Sequence, residues 1–200
     1  MIRICNLFLF ALLIVSCGSD QPTGPVAVDT TVVSFENIRP DSTIGWVYYS
    51  FDASKVVPSD SVSGSNWDIR MPYILCCGNT KSIPVQLNSG PNGTGGSVQG
   101  AVVTARFENI SVMPSATVLR VDDRDNPVVP LPVLGSNIFF VYDIASHTLR
   151  PSPDKVLIVK TSSNKLWKFQ ITSIYKDAQQ NPTQDTPIGF YHFRSAQIAQ

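Results

Sequence analysis

Fifteen prolines spread through 200 residues leave no room for long helices, because a proline inside a helix removes a hydrogen bond and clashes with the preceding turn. No amphipathic run at the helical period reaches three turns. Instead, short runs rich in Val, Ile, Tyr, Phe and Trp recur between Pro, Gly, Asn and Asp breakers, the pattern of an all-β domain. Strands are predicted at 31–38, 45–51, 67–74, 82–87, 97–105, 138–143, 155–161, 165–175 and 188–194. Within 165–175, Trp167, Phe169, Ile171, Ser173 and Tyr175 fall on one face and Lys168, Gln170 and Thr172 on the other. That period of two predicts a half-buried strand with one solvated side. Ser163-Asn164 suits a tight turn, which would pair 155–161 with 165–175 as a hairpin. No internal repeat of fixed period is present.

The first residues read differently. A single Arg3 precedes an apolar run from Leu7 to Val15, far short of the ~20 residues that cross a bilayer but suited to an export signal. Ile14-Val15-Ser16-Cys17 resembles the bacterial lipobox. That resemblance implies cleavage before Cys17, a diacylglyceryl thioether on its sulfur and a further acyl chain on its amine. Each buried methylene contributes ~0.8 kcal/mol, so two or more chains give a stable anchor. The expected organisation is a lipoprotein signal peptide over 1–16, lipidated Cys17 and a flexible tether over 17–30, and a single antiparallel β-rich domain over 31–200. The spacer is Gly, Ser, Gln, Pro and Thr with few apolar residues, as flexible linkers are.

Removing residues 1–16 of 200 leaves 184, enough for one domain with a real core. Arg3 leaves with the signal, so 14 of the 15 basic residues face 15 acidic ones. That balance gives no basis for a nucleic-acid partner or an anionic lipid surface. Asp122-Asp123-Arg124-Asp125-Asn126 is the one dense acidic group; it lacks the glycine and distal glutamate of a calcium loop and reads as a solvated loop. Cys76-Cys77 are adjacent, and α-carbons ~3.8 Å apart make a strained disulfide. Small buried apolar side chains are the plain reading of the pair, a redox role the other. The glycine-rich stretch 88–96 has neither a Gly-Lys-Ser/Thr ending nor G-x-G-x-x-G spacing, and reads as a mobile inter-strand loop instead of a phosphate cradle.

Catalytic groups are scarce. No Gly-x-Ser-x-Gly elbow is present, and no nucleophile, base and orienter can be placed together, so the expectation is a protein that is not an enzyme. His192 alternates with Phe193 and shares a face with Arg194, as a solvated or hydrogen-bonded surface histidine does. His147 follows the aromatic run 138–142 and precedes Pro151-Ser152-Pro153, in a loop able to hold a ring nitrogen at a pocket mouth. Met71 and Met113 each precede a proline; core filling is their ordinary role, although a thioether also ligates haem iron.

Trp46-Val47-Tyr48-Tyr49-Ser50-Phe51, Asn66-Trp67-Asp68-Ile69 and Leu87-Asn88-Ser89-Gly90 follow one another in an order and spacing that resemble the HmuY family of haem-binding lipoproteins. The second half agrees: Tyr142-Asp143, His147, Val156-Leu157-Ile158-Val159-Lys160-Thr161, Lys165-Leu166-Trp167-Lys168-Phe169, Ile174-Tyr175 and Gly189-Phe190-Tyr191-His192-Phe193. The resemblance implies an all-β protein anchored in the outer membrane that captures haem and passes it to an outer-membrane transporter. It implies one axial ligand before the strand at 156–161, a place that His147 takes, and a second further upstream. No histidine lies between Phe107 and Phe139, and Met113 is the usual haem ligand found there. The candidate ligand set is His147 with Met113, and Met71 in reserve. The alternative keeps the tether and the β fold but binds a protein or a glycan without haem, since one fold hosts several functions.

Overall fold

The computed structural model describes residues 30–74, 85–129 and 139–200. Their strands are β1 (Val33–Ile38), β2 (Trp46–Ser50), β3 (Lys55–Val57), β4 (Ile69–Pro72), β5 (Gln86–Leu87), β6 (Gln99–Thr104), β7 (Phe140–Asp143), β8 (Thr148–Pro151), β9 (Lys155–Lys160), β10 (Leu166–Tyr175) and β11 (Ile188–Ile198), with single 3₁₀ turns between some of them. Every pairing of these strands is antiparallel. The chain is therefore all-β, as its punctuation by proline and glycine demands. Two strands were not foreseen. Lys55-Val56-Val57 is too short for a periodic signal, and Thr148–Pro151 ends in a proline, which demotes a run on sequence grounds.

Five strands form one sheet in the order β1-β11-β10-β9-β6, four form another in the order β3-β2-β4-β5, and β7-β8 stand as a hairpin of their own. Alternate side chains of the two larger sheets meet in one core: Val47, Tyr49, Ile69 and Met71 from one side, Leu157, Val159, Phe169, Ile171 and Phe193 from the other. Aromatic rings carry much of this contact. Phe193 stacks on Phe35 at 5.0 Å and meets Tyr49 edge-on at 5.1 Å, while Phe51 meets Phe169 edge-on at 5.9 Å. Each such pair contributes ~0.5–1.5 kcal/mol beyond burial.

The five-stranded sheet is covered on its second face as well, by Phe107 and Ile110 packed on Val156, Ile158, Leu166, Ala196 and Ile198. This corrects the expectation of a solvated side for β10, where only Thr172 is exposed. Lys168 and Gln170 are buried there because each head group finds acceptors or donors. Lys168 Nζ donates to the carbonyls of Phe107 at 2.8 Å and Ile110 at 2.7 Å, and lies 4.3 Å from the Phe107 ring centroid. Gln170 Oε1 accepts from Arg194 Nη2 at 2.7 Å. His192 is likewise a correction: it is buried, not on the surface, and its Nε2 donates to the Tyr175 carbonyl at 3.0 Å.

The hairpin of β9 and β10 forms as expected, with one residue more in its loop. Thr161 N donates to Lys165 O and Asn164 N to Thr161 O, both at 2.9 Å, so the loop is Ser162-Ser163-Asn164. Asn164 takes the left-handed φ of 65°, which asparagine tolerates better than most residues. The glycine-rich stretch is not a free loop either. The buried Asn88 donates Nδ2 to the carbonyls of Gly64 and Trp67 at 2.8 Å, and its Oδ1 accepts from Thr94 N at 2.8 Å and Gly96 N at 3.3 Å. A Cβ on Gly96 would stand 2.5 Å from Asn88, so close approach to that amide explains the glycine. Asp122 departs from the solvated-loop expectation too: it is buried and accepts from the amides of Leu87 at 3.1 Å and Val128 at 2.9 Å.

Candidate functional site

His147 stands at the tip of the β7-β8 hairpin in a left-handed conformation, φ 53°. Register explains what surrounds it. Asp143 pairs with Thr148 and Tyr142 with Leu149, so the connection is the turn 144–147, and the Tyr142 side chain reaches back to the imidazole. Tyr142 Oη lies 2.7 Å from His147 Nδ1. In the tautomer whose Nδ1–H donates to that oxygen, Nε2 keeps its lone pair. A second group that fixes ring and tautomer is the usual company of a metal-binding imidazole. The ring is exposed, and so are Val141 of β7 and Ile144 of the turn, at 53% and 77%. The base of the hairpin is anchored by Phe140 and Leu149 in the inter-sheet core and by Leu149 N donating to Tyr175 Oη at 2.8 Å.

The two methionines lie elsewhere. Met113 N donates to Ala199 O at 3.2 Å, next to Ile198, which pairs with Leu166 at the start of β10. His147 belongs to the hairpin tied to Tyr175, the other end of β10. Ten residues at ~3.3 Å each separate those ends by about 30 Å. Met113 also packs on the cluster of the sheet's second face, whereas the hairpin packs on the first. Two axial ligands of one metal stand roughly 4 Å apart, two bonds of ~2 Å each. The structure therefore does not bring Met113 to His147. Met71 is fully buried in β4 and faces the core. Cys17 and the Cys76-Cys77 pair lie outside the described residues, as do the signal and most of the tether.

One polar cleft lies where the two sheets meet, lined by Ser50, Asp52, Ser65, Asp68, Ser162 and Ser163. Asp52 receives hydrogen bonds from the hydroxyls of Ser163 and, at 3.3 Å, Thr161, and its carboxylate lies 3.8 Å from Lys165 Nζ. Asp68 is buried, and its Oδ2 accepts from Phe51 N at 2.7 Å. Burial pushes the Asp68 carboxyl up to about 6, against the opposing pull of the Phe51 amide. These contacts join the loop after β2 to the loop before β10, which makes the cleft a clasp between sheets. Among the described residues no three His, Cys, Asp or Glu side chains gather as metal ligands, and no helix is long and apolar enough to cross a membrane.

Solved structures that this chain is similar to come from Bacteroidetes. A candidate HmuY-like haem-binding protein of Bacteroides vulgatus ATCC 8482 shares 15% identity at a TM-score of 0.47, over 84% of this chain and 92% of that one. The apo HmuY analog of Tannerella forsythia shares 11% identity at 0.49, over 86% of this chain and 99% of that one. A candidate lipoprotein of Bacteroides fragilis NCTC 9343 shares 13% identity at 0.46, over 86% and 92%. No family model and no curated protein matches the sequence. The antiparallel all-β architecture of the described residues stands on the strand pairings themselves. Neither Tyr142 as orienter of His147 nor Lys168 as a buried clasp was legible in the sequence: a tyrosine five residues before a histidine is a signal only once a hairpin turn between them is known.

Proposed function

We propose that this chain is an exported, lipid-anchored haem-binding protein that holds the macrocycle at the β7-β8 hairpin through His147 and performs no chemical turnover. The observation that supports this reading is the exposed imidazole, oriented at Nδ1 by Tyr142 with no partner for Nε2 among the described residues, on a hairpin that also exposes Val141 and Ile144. Haem when bound supplies an apolar plane and an iron that takes an imidazole nitrogen. The residues present fit such a group with one axial ligand, since Met113 and Met71 lie away from the hairpin. Tyr142 holds the ring, and Ile144 of the same turn offers an exposed apolar side chain. Cys17 carries the lipid anchor, the outer membrane is the site of attachment, and an outer-membrane transporter is the receiver of the haem.

The test is a haemin titration of the mature chain carrying Cys17→Ala, followed in the Soret and Q bands. A saturable Soret shift is expected, lost in His147→Ala, weakened in Tyr142→Phe and unchanged in Met113→Ala. A shift that survives in His147→Ala removes the hairpin from the site, and the absence of any saturable shift removes haem from the function.

A further inference from the structure

The outer face of the four-stranded sheet carries a second constellation. β2 and β4 lie inside that sheet, and their inward residues fill the core. Outward, Arg70 of β4 stands opposite Tyr48 of β2 and Gln86 of β5. Its guanidinium carbon lies 4.4 Å from the ring centroid of Trp46 and 5.8 Å from that of Trp67, and its Nε donates to Gln86 Oε1 at 2.8 Å. Trp67 is itself fixed, buried, edge-on to Tyr48 at 5.0 Å and donating Nε1 to Thr94 Oγ1 at 2.8 Å. The ion pairs among the described residues involve Arg150, Lys165 and Arg194, so Arg70 has no carboxylate partner among them. Trp46, Tyr48, Arg70 and Gln86 are all half-buried, open to solvent along one side.

We propose that this face binds a sugar acid, a pyranose ring bearing a carboxylate, as found in uronate- or sialate-containing glycans. A guanidinium held over an indole by one hydrogen bond is a preorganised fork whose terminal nitrogens donate to a carboxylate in bidentate fashion. The electron-rich ring of Tyr48, opposite Arg70, attracts the polarised C–H edges of a pyranose beside the fork, and the Gln86 amide nitrogen is left to donate to a ring hydroxyl. A peptide fits less well. Strand addition needs an open sheet edge, and Arg70 sits on an interior strand with β2 on one side and β5 on the other. The proposal is independent of haem at the hairpin.

Tryptophan-fluorescence titrations of the mature chain with trigalacturonate and with 3′-sialyllactose, each beside its methyl ester, test it. Saturable binding of either acid, weakened about tenfold or more in its ester and in Arg70→Lys, is the scale of one charge-assisted hydrogen bond and supports the proposal; the acid that binds identifies the source. Arg70→Lys keeps the charge and a long stem at a half-buried position, so the fold is retained, and Trp46→Phe is expected to lie between it and wild type. Failure of both acids to bind overturns the proposal. So does equal binding of the esters, unchanged binding in Arg70→Lys, or equal binding of triglutamate.

Discussion

Asp68 shows how one side chain ties pH to stability. It is buried at the clasp between the sheets, and its carboxyl titrates near 6 instead of 3.8 because desolvation outweighs the Phe51 amide. A folded-state value above the unfolded one means that the folded chain holds a proton the unfolded chain has released. The resulting stabilisation is complete below about 4 and is lost as pH rises through 6, by on the order of 3 kcal/mol at ~1.4 kcal/mol per pH unit. Asp68→Asn keeps an acceptor for the Phe51 amide and removes the titration. Urea midpoints at pH 4, 5, 6 and 7 are expected to fall across that window in the wild type and to flatten in the variant; a retained slope in Asp68→Asn assigns the effect to another group. The sequence marked Asp68 only by its place beside Trp67. Burial depends on Ser50 and the loop at 162–163 closing over it, contacts distant along the chain. His192, Asp122 and Asn88 were misjudged for the same reason: local polarity says nothing of what lies above a side chain.

At the scale of elements, β10 is the clearest case of a pattern read correctly and interpreted too narrowly. Alternation in 165–175 identified the strand and its inward face, and tight-turn residues identified the hairpin. Alternation does not reveal that a second layer covers the polar face. Here that layer is the segment from Phe107 to Ile110, held by the Lys168 ammonium between two carbonyls. Burial pushes the Lys168 pKa down, so the ammonium is retained through these acceptors and the nearby Glu108. Lys168→Ala removes the ammonium from both carbonyls, leaving Phe107 O with the Ile110 amide at 3.3 Å, and opens a void; it is expected to lower stability by about 2–4 kcal/mol. Lys168→Met keeps the apolar stem and is expected to cost less. Equilibrium urea unfolding of both variants measures this; equal stability of Lys168→Ala and the wild type refutes the clasp.

For the whole molecule, fold class was legible because prolines and short β-rich runs permit little else, whereas strand order and the separation of Met113 from His147 were not. Sequence places those two residues 34 positions apart and upstream of one hairpin; only the pairing of β10 with β11 sends them to opposite ends of a sheet. The tether belongs to this scale as well. If Cys17 carries lipid, Cys17→Ala is expected to move the protein from the membrane to the soluble fraction on cell fractionation, with the haemin titration of the domain unchanged; continued membrane association in the variant ends the lipobox reading.

The strand order β1-β11-β10 carries a consequence for timing. Among the described strands β1 is made before all the others and β11 after them, yet β1 lines up on β11, with Val33 beside Ser195 and Phe35 beside Phe193. Until the residues near 195 have been synthesised, the first strand has no ladder to join, and β10 lacks one of its two neighbours. Closure of such distant pairs is slow and comes late. The five-stranded sheet thus stays incomplete until β11 is made, and that strand acts as the zip that shuts it.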